Sequence, residues 1–355
     1  MTGPVPAVPV TIVGVRGYTG QELVRLLAGH PAFELAALFG SERTEPGTPI
    51  DAVAPAVAPF TTLDVGPGDV GAIIASGAKA VFLATPHDAS AALAPELVDA
   101  GLTVFDLSGA FRLAPDDYPA WYGFDHPAPA HLGRAVYGLV EHARDKIASA
   151  DLVALPGCYP TASLLAIKPL VDSGRIDTSR DVIIDAISGV SGAGRKASEA
   201  TSFCEIGPRA YGVLAHRHAP EIERHAGTRV RFVAHLGPWK RGILATIHAD
   251  LGPGETVGST REFLGSVYAE HALVRVLPAG QSADVGRVER TSFAEISIGG
   301  DDERGALVIS VAIDNLLKGA SGQAVQAANL RFGLPELAGL GASPGTASGT
   351  EVAHA

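Results

Sequence analysis

A thiol and a pair of imidazoles are the groups in this chain best suited to chemistry. Cys158 lies in Leu155-Pro156-Gly157-Cys158-Tyr159-Pro160-Thr161, and His216-Arg217-His218 runs into Ala219-Pro220-Glu221. Asp151 to Leu155 reads as a buried strand and Thr161 to Val171 as a helix, with Pro160 suited to the first turn because a missing N–H costs nothing there. Cys158 is therefore expected at a strand end, just before a helix N-terminus. Free N–H groups and the helix dipole favour an anion at that point and lower a thiol's pKa. Without such a setting a lone cysteine is usually a small buried hydrophobe. A thiolate catalyst needs a proton shuttle, and the two histidines, beside Arg217 and downstream of Arg209, are the acid–base candidates. Histidines two apart also suit a metal, but the third ligand and second cysteine cluster of a zinc site are missing, so no metal is expected.

The thiol is accompanied by a glycine pattern. Gly14-Val-Arg16-Gly17-Tyr18-Thr19-Gly20 lies between a strand, Val8 to Val15, and a helix from Gln21 to Ala28. Glycines there serve a tight turn, backbone approach to a pyrophosphate and helix-on-strand packing, in a variant of the dinucleotide fingerprint. The next strand, Phe33 to Phe39, ends in Gly-Ser41-Glu42-Arg43. Ser41 and Arg43 suit a ribose 2′-phosphate and Glu42 a free 2′-hydroxyl, so the balance favours NADP. Ser188-Gly189-Val-Ser191-Gly192-Ala-Gly194, followed by Arg195 and Lys196, suits a loop whose N–H groups face a phosphate or cofactor. Asp106-Leu-Ser108-Gly-Ala-Phe-Arg112 ends a strand where ligands collect, and Asn315-Leu-Leu-Lys318-Gly319-Ala-Ser-Gly322-Gln323 opens the last helix, in position to close over a nicotinamide. Thiol, histidine and NADP together suggest one reaction. A thiolate attacks an activated acyl group, hydride reduces the thioester, and the thiohemiacetal collapses to an aldehyde.

These groups need a scaffold, and 355 residues with 46% hydrophobic content suffice for two domains with real cores. Apolar strands (Val8, Phe33, Ala80 to Ala84, Thr103 to Leu107, Leu152 to Leu155) alternate with helical patterns such as Ala89 to Ala100, which implies an α/β, doubly wound parallel sheet of Rossmann type. Phe111 to Asp145, rich in Pro, Gly, Tyr and His, reads as loops near the ligand. Strands at Asp181 to Ser188, Arg229 to His235 and Gly242 to Asp250, with a hairpin of Ser292–Ile298 and Ala306–Ile313 about the turn Gly299 to Gly305, imply a second, α+β domain for catalysis and dimerisation. The expected division is residues 1–157 plus 317–336 for the cofactor domain and 158–316 for the second, with a disordered tail over 337–355. A net charge of −11 argues against nucleic acid, and no apolar run is long enough for a membrane. The N-terminus lacks the regions of a signal peptide and there are two cysteines, so a cytoplasmic protein without disulfides is expected.

With these motifs in view, the chain resembles the N-acetyl-gamma-glutamyl-phosphate reductases, relatives of aspartate-semialdehyde dehydrogenase, from about Val10 to Arg331. Pro156-Gly-Cys158-Tyr159-Pro-Thr looks like the family's nucleophile motif, and His216-Arg-His218-Ala-Pro-Glu-Ile like its histidine segment. The resemblance implies Cys158 as the thioester-forming residue and Arg112 as the holder of the acyl phosphate; His216 is the choice for general acid/base. Tyr137-Gly-Leu-Val-Glu141 and Lys318-Gly-Ala-Ser-Gly-Gln also match, and imply an active-site wall and part of the NADP site. The substrate set so implied is Arg112, Ser108, Tyr159, Glu141, Arg209 and His218. The cofactor set is Gly14, Arg16, Gly17, Tyr18, Thr19, Gly20, Ser41, Arg43, Pro86, Ser188, Gly189, Ser191, Gly192, Asn315, Lys318, Gly319, Gly322 and Gln323. The family's usual Gly-Ala-Ser-Gly loop has Val15-Arg16 here, and Ala110 stands where an acid is common. The implied activity is NADPH-dependent reduction of N-acetyl-gamma-glutamyl phosphate in arginine biosynthesis by a homodimer or homotetramer. Another acyl phosphate, including a carrier-linked one, and a non-catalytic NADP-binding regulator are the alternatives.

Overall fold

The computed structural model describes residues 7–341, built on two seven-stranded sheets. The first contains β1 (Val8–Val13), β2 (Phe33–Phe39), β3 (Val65–Gly66), β4 (Ala80–Leu83), β5 (Thr103–Asp106), β6 (Val136–Tyr137) and β7 (Leu152–Ala154). Their order is β3-β2-β1-β4-β5-β7-β6, and every pairing is parallel. Helices α1 (Tyr18–Ala28), α2 (His87–Asp99) and α3 (Val140–Ala148) cover it, so Val10, Ile12, Phe82 and Phe105 are fully buried. That double cover is why its strands read as unbroken apolar runs. Strand order reverses between β1 and β4, which opens a crevice at their carboxyl ends where open α/β sheets bind ligands.

α4 (Cys158–Asp172) carries the chain from the first sheet to the second. Pro169 inside α4 leaves the carbonyl of Leu165 without its helical N–H, and the Tyr268 hydroxyl donates to that oxygen instead at 2.6 Å. The second sheet contains β8 (Val182–Gly189), β9 (Arg209–Tyr211), β10 (Val230–Gly237), β11 (Ile243–Asp250), β12 (Val274–Val276), β13 (Ala294–Asp301) and β14 (Ala306–Ile313), in the order β12-β13-β14-β11-β8-β10-β9. Two of its pairings are parallel and the rest antiparallel. α4, α5 (His218–Ala226) and α6 (Val257–Val267) bury one face over Ile184, Phe232, Ile247 and Ile309. The alternate residues point away from that core, and Ile183 there is 41% exposed. The hairpin is longer than its sequence pattern suggests, because Gly299 to Asp301 pair with Val308 to Ala306 as ladder rather than turn. A side chain at Gly300 would strike the carbonyl oxygen of Ala306 at 2.2 Å, which explains why turn-like glycines sit inside a strand.

After a π-helical turn, Leu317–Ser321, α7 (Gly322–Arg331) returns to the first sheet and buries Ala324, Val325, Ala327 and Ala328 with Leu23, Leu27 and Val140. Two sequence expectations need correction. The stretch Phe111 to Asp145 holds β6 and part of α3 as well as loops. The tail is ordered through Gly341: the Ala338 carbonyl accepts from Asn329 Nδ2 at 2.9 Å and bonds His30 Nε2 at 3.0 Å, while Leu340 is buried in the first core. Residues 342–355 of the expected disordered tail lie outside the described residues. No helix among the described residues is long and apolar enough to cross a membrane.

Candidate active site

The glycine loop meets α1 with the geometry a dinucleotide requires. Gly14 has φ +95°, and a Cβ there would lie 2.4 Å from the Ala84 carbonyl oxygen. One on Gly20 would lie 2.3 Å from the oxygen of Gly14, so both positions need glycine. Gly17 is the N-cap and offers no side-chain cap, leaving the N–H groups of the first turn, Tyr18, Thr19 and Gly20, to a ligand. In front of them is a cavity of ≈ 1110 Å³ whose wall includes Gly14, Arg16, Gly17, Ser41, Arg43 and Pro86. The cradle and the uncapped helix fit a dinucleotide phosphate.

The remaining cofactor candidates are not on that wall. The N–H groups of Gly189, Val190 and Ser191 donate to the carbonyls of Gly242, Trp239 and Lys240 at 2.9, 2.8 and 3.0 Å, so they do not face a phosphate as expected. Ser188 donates to the Gly189 carbonyl, and a Cβ on Gly192 would lie 2.8 Å from the Ser188 oxygen. Asn315 accepts the Gly242 N–H at 2.7 Å and donates to Ser191 at 3.0 Å, which fastens loop to turn. Lys318 and Glu141 are fully buried and pair with each other, and Lys318 also donates to Gln326. They tie α3 to the final helix, and the roles implied for them toward cofactor and substrate have to be met from within this buried pair. Gly319 packs against Cys158, since a Cβ there would lie 2.8 Å from Cys158 Cβ, and Gly322 packs on Ser292. Gln323 donates to Thr161, which donates to the Gly157 carbonyl, bracing the turn from behind.

Cys158 is the first residue of α4 and is partly exposed. Burial pushes its thiol up to about 11, outweighing the Tyr159 N–H and Arg112, both of which favour the thiolate. Desolvation thus opposes the lowering inferred from the helix N-terminus and favours the thiol form of Cys158. Iodoacetamide labelling of the free protein at Cys158 is expected to quicken about tenfold per pH unit from 7 to 9, following the thiolate fraction below its pKa. A plateau below pH 8 would show a preformed thiolate.

Geometry separates the two histidines. A Cβ built on Gly157 would lie 2.6 Å from His218 Nε2 and 3.0 Å from Arg112 Nη1, so this glycine lets both groups close on the main chain beside Cys158. His218 is buried, its Nδ1 has no partner among the described residues, and burial holds its pKa well below the ordinary imidazole value. His216 packs among Tyr159, Tyr211 and Phe232, and its Nδ1 accepts the His218 N–H at 3.1 Å. That bond puts the proton of neutral His216 on Nε2, so it has no free lone pair for a thiol. Burial, then Arg217, lowers its pKa to about 4. Of the two imidazoles, His218 is the one that lies on the glycine beside Cys158, whereas the sequence reading had chosen His216.

Arg112 is buried between the sheets, bonded to Glu221 Oε2 at 3.2 Å and to the Leu107 carbonyl at 2.9 Å. Glu221, fully buried, also accepts the Gly157 N–H and the Tyr137 hydroxyl, each at 2.8 Å on Oε1. It fixes guanidinium and nucleophile turn relative to each other, a role sequence reading missed although Pro220-Glu221 opens the helix after the histidines. His87, pulled down to about 3 by burial and Arg217, accepts the Gly109 N–H at 2.7 Å and packs on Tyr122. Arg112 Nε and the Tyr122 hydroxyl have no partner among the described residues. Ser108 donates to Asp106 and accepts the Ala110 N–H, so its hydroxyl shapes the turn ahead of Arg112. Tyr159 donates to the His235 carbonyl at 3.1 Å and backs both histidines from within the core. Arg209 is on the exposed edge strand β9.

Comparison with known proteins places the two sheets in a family. The semialdehyde dehydrogenase NAD binding domain matches residues 9–150 and the semialdehyde dehydrogenase dimerisation domain residues 158–315. N-acetyl-gamma-glutamyl-phosphate reductase of Tolumonas auensis is 45% identical over 93% of this chain and 99% of its own. The reductase of Escherichia coli O157:H7 is 44% identical over 92% and 97%. Aspartate semialdehyde dehydrogenase II of Vibrio cholerae, at 18% identity, shares the fold with a TM-score of 0.69 over 92% of this chain and 99% of its own. The chain belongs to the semialdehyde dehydrogenase family and, within it, to the N-acetyl-gamma-glutamyl-phosphate reductases.

Proposed function

We propose that this protein reduces N-acetyl-gamma-glutamyl phosphate to N-acetyl-glutamate semialdehyde and phosphate, with NADPH as reductant and Cys158 as covalent catalyst. The observation that carries the proposal is the thiol at the head of α4, with a neutral imidazole and a guanidinium on the adjoining glycine. His218 takes the thiol proton as sulfur attacks the acyl carbon; the C–S bond forms and the bond to the phosphate oxygen breaks. Arg112, with the Tyr122 hydroxyl, meets the anionic acyl phosphate and the charge that develops on it. A nicotinamide held in the cavity would supply a hydride to the thioester carbon. Collapse of the thiohemiacetal breaks the C–S bond, and His218 returns the proton to the sulfur.

NADP is favoured over NAD because Ser41 and Arg43 line the cavity while Glu42 does not; Glu45 is the acid on its wall. We also infer a homodimer or homotetramer in the cytoplasm, with the outward face of the second sheet as contact, in keeping with the name of the matching dimerisation domain. The test is the reverse reaction: phosphate-dependent NADPH formation from N-acetyl-glutamate semialdehyde, with aspartate semialdehyde and a phosphate-free mixture as controls. Signal with the acetylated aldehyde alone is the expected result. No signal with either aldehyde, from protein that still binds NADPH, would overturn the assignment in favour of a carrier-linked substrate or a regulator.

A further inference from the structure

The wall of the cofactor cavity includes two residues that the first sheet does not supply. Arg195 and Lys196 come from the loop after β8, in the second domain, and line the cavity together with Arg16, Ser41 and Arg43. Arg195 reaches across the mouth, its Nη1 donating to the Arg16 carbonyl at 2.9 Å and the Val53 carbonyl at 3.1 Å. Two features make that contact more than a surface crossing. The base of the loop is pinned by the bonds of Gly189, Val190 and Ser191 to the turn at 239–242, and Arg241 in that turn is itself bonded to Glu22 of α1 at 3.0 Å. The second feature is charge. Arg195 is anchored by neutral carbonyls, and among the described residues no carboxylate pairs with Arg195, Lys196, Arg16 or Arg43. A guanidinium has five donor hydrogens, and two here are spent on carbonyls, leaving Nε and Nη2 for an anion. In a chain of net charge −11, four cations and a single carboxylate, Glu45, line one cavity, a net positive wall to which both domains contribute.

We propose that Arg195 and Lys196 hold the 2′-phosphate of the cofactor, so that the second domain completes the cofactor site. The inference rests on the reading of the cavity as an NADP site, and it deepens that reading. Selectivity then comes from two opposed walls: Ser41 and Arg43 at the end of β2, and a clamp that is in place only while the domains are docked.

Equilibrium titration by the fluorescence of bound NADPH and NADH tests it, with the intact protein, R195Q, K196Q and the double variant. Both positions are exposed, so the fold is not at stake. The double variant is expected to lose about tenfold or more in NADPH affinity and to keep its NADH affinity within about twofold, as for charge-assisted bonds to a group NADH lacks. Trypsin gives an independent readout: NADPH, and not NADH, is expected to slow cleavage after Arg195 and Lys196 in the intact protein. Unchanged NADPH affinity in the double variant, or equal loss for both cofactors, would overturn the clamp while an intact preference for NADPH left the cofactor reading standing. An intact protein that bound both cofactors equally would overturn the two together.

Discussion

Serine in place of Cys158 is expected to lower kcat by at least about 10⁴-fold, the scale seen when a covalent nucleophile is lost. The change is small in volume and large in chemistry. A thiol pushed up to about 11 by burial still gives its proton to a neutral imidazole during attack, whereas a hydroxyl in the same spot is a far weaker acid. The cofactor cavity does not include Cys158, so NADPH should bind Cys158→Ser with unchanged affinity. Binding and turnover measured on one preparation separate a dead nucleophile from a misfolded protein. A serine variant within about tenfold of the parent would end the thioester mechanism, since an intact acid–base and oxyanion apparatus alone does not sustain that rate.

The second large effect is expected at His218. His218→Asn should cost about 10²- to 10⁴-fold in kcat, the range for a lost general acid/base. His216→Asn should cost less, because His216 only accepts a main-chain N–H and packs against rings. The pH profile distinguishes catalysis from support. His218 must be neutral to act, and its depressed pKa means that activity is present above that pKa and lost as pH falls through it, well below the ordinary imidazole range. His216→Asn should keep this acid limb and His218→Asn should erase it. If His216→Asn were the more damaging and flattened the limb, the roles of the two would be exchanged.

Much of this was legible in the sequence where a signal is local. The strands of the first sheet show as apolar runs because both faces are covered, and the glycine loop shows because Gly14 and Gly20 are sterically obligatory. Cys158 shows because strand, turn and helix follow one another within a dozen residues. Features settled through space did not show. Lys318 looks like a free cation until Glu141, 177 residues away, is found beside it. Gly189, Val190 and Ser191 look like a phosphate nest until the turn at 239–242 takes their N–H groups. Glu221 sits next to the histidines in sequence, yet its importance lies in Arg112, 109 residues upstream. The thiol's pKa follows the same pattern: the helix N-terminus is readable from a motif, while the burial that overrides it is a property of the assembled domains.

The return of α7 to the first sheet also sets an order of events during synthesis. Ala324, Val325 and Leu340 belong to the same core as Val10 and Leu23, so that core waits for residues far downstream of its first strand before it is closed. The second sheet, continuous in the chain between them, has all its strands available sooner. The first sheet's core therefore cannot be completed before the second sheet's strands have been made. A chain ending before Gly322 would contain every strand of both sheets, yet its first core would lack the helix that closes it and the turn at Cys158 its brace from Gln323.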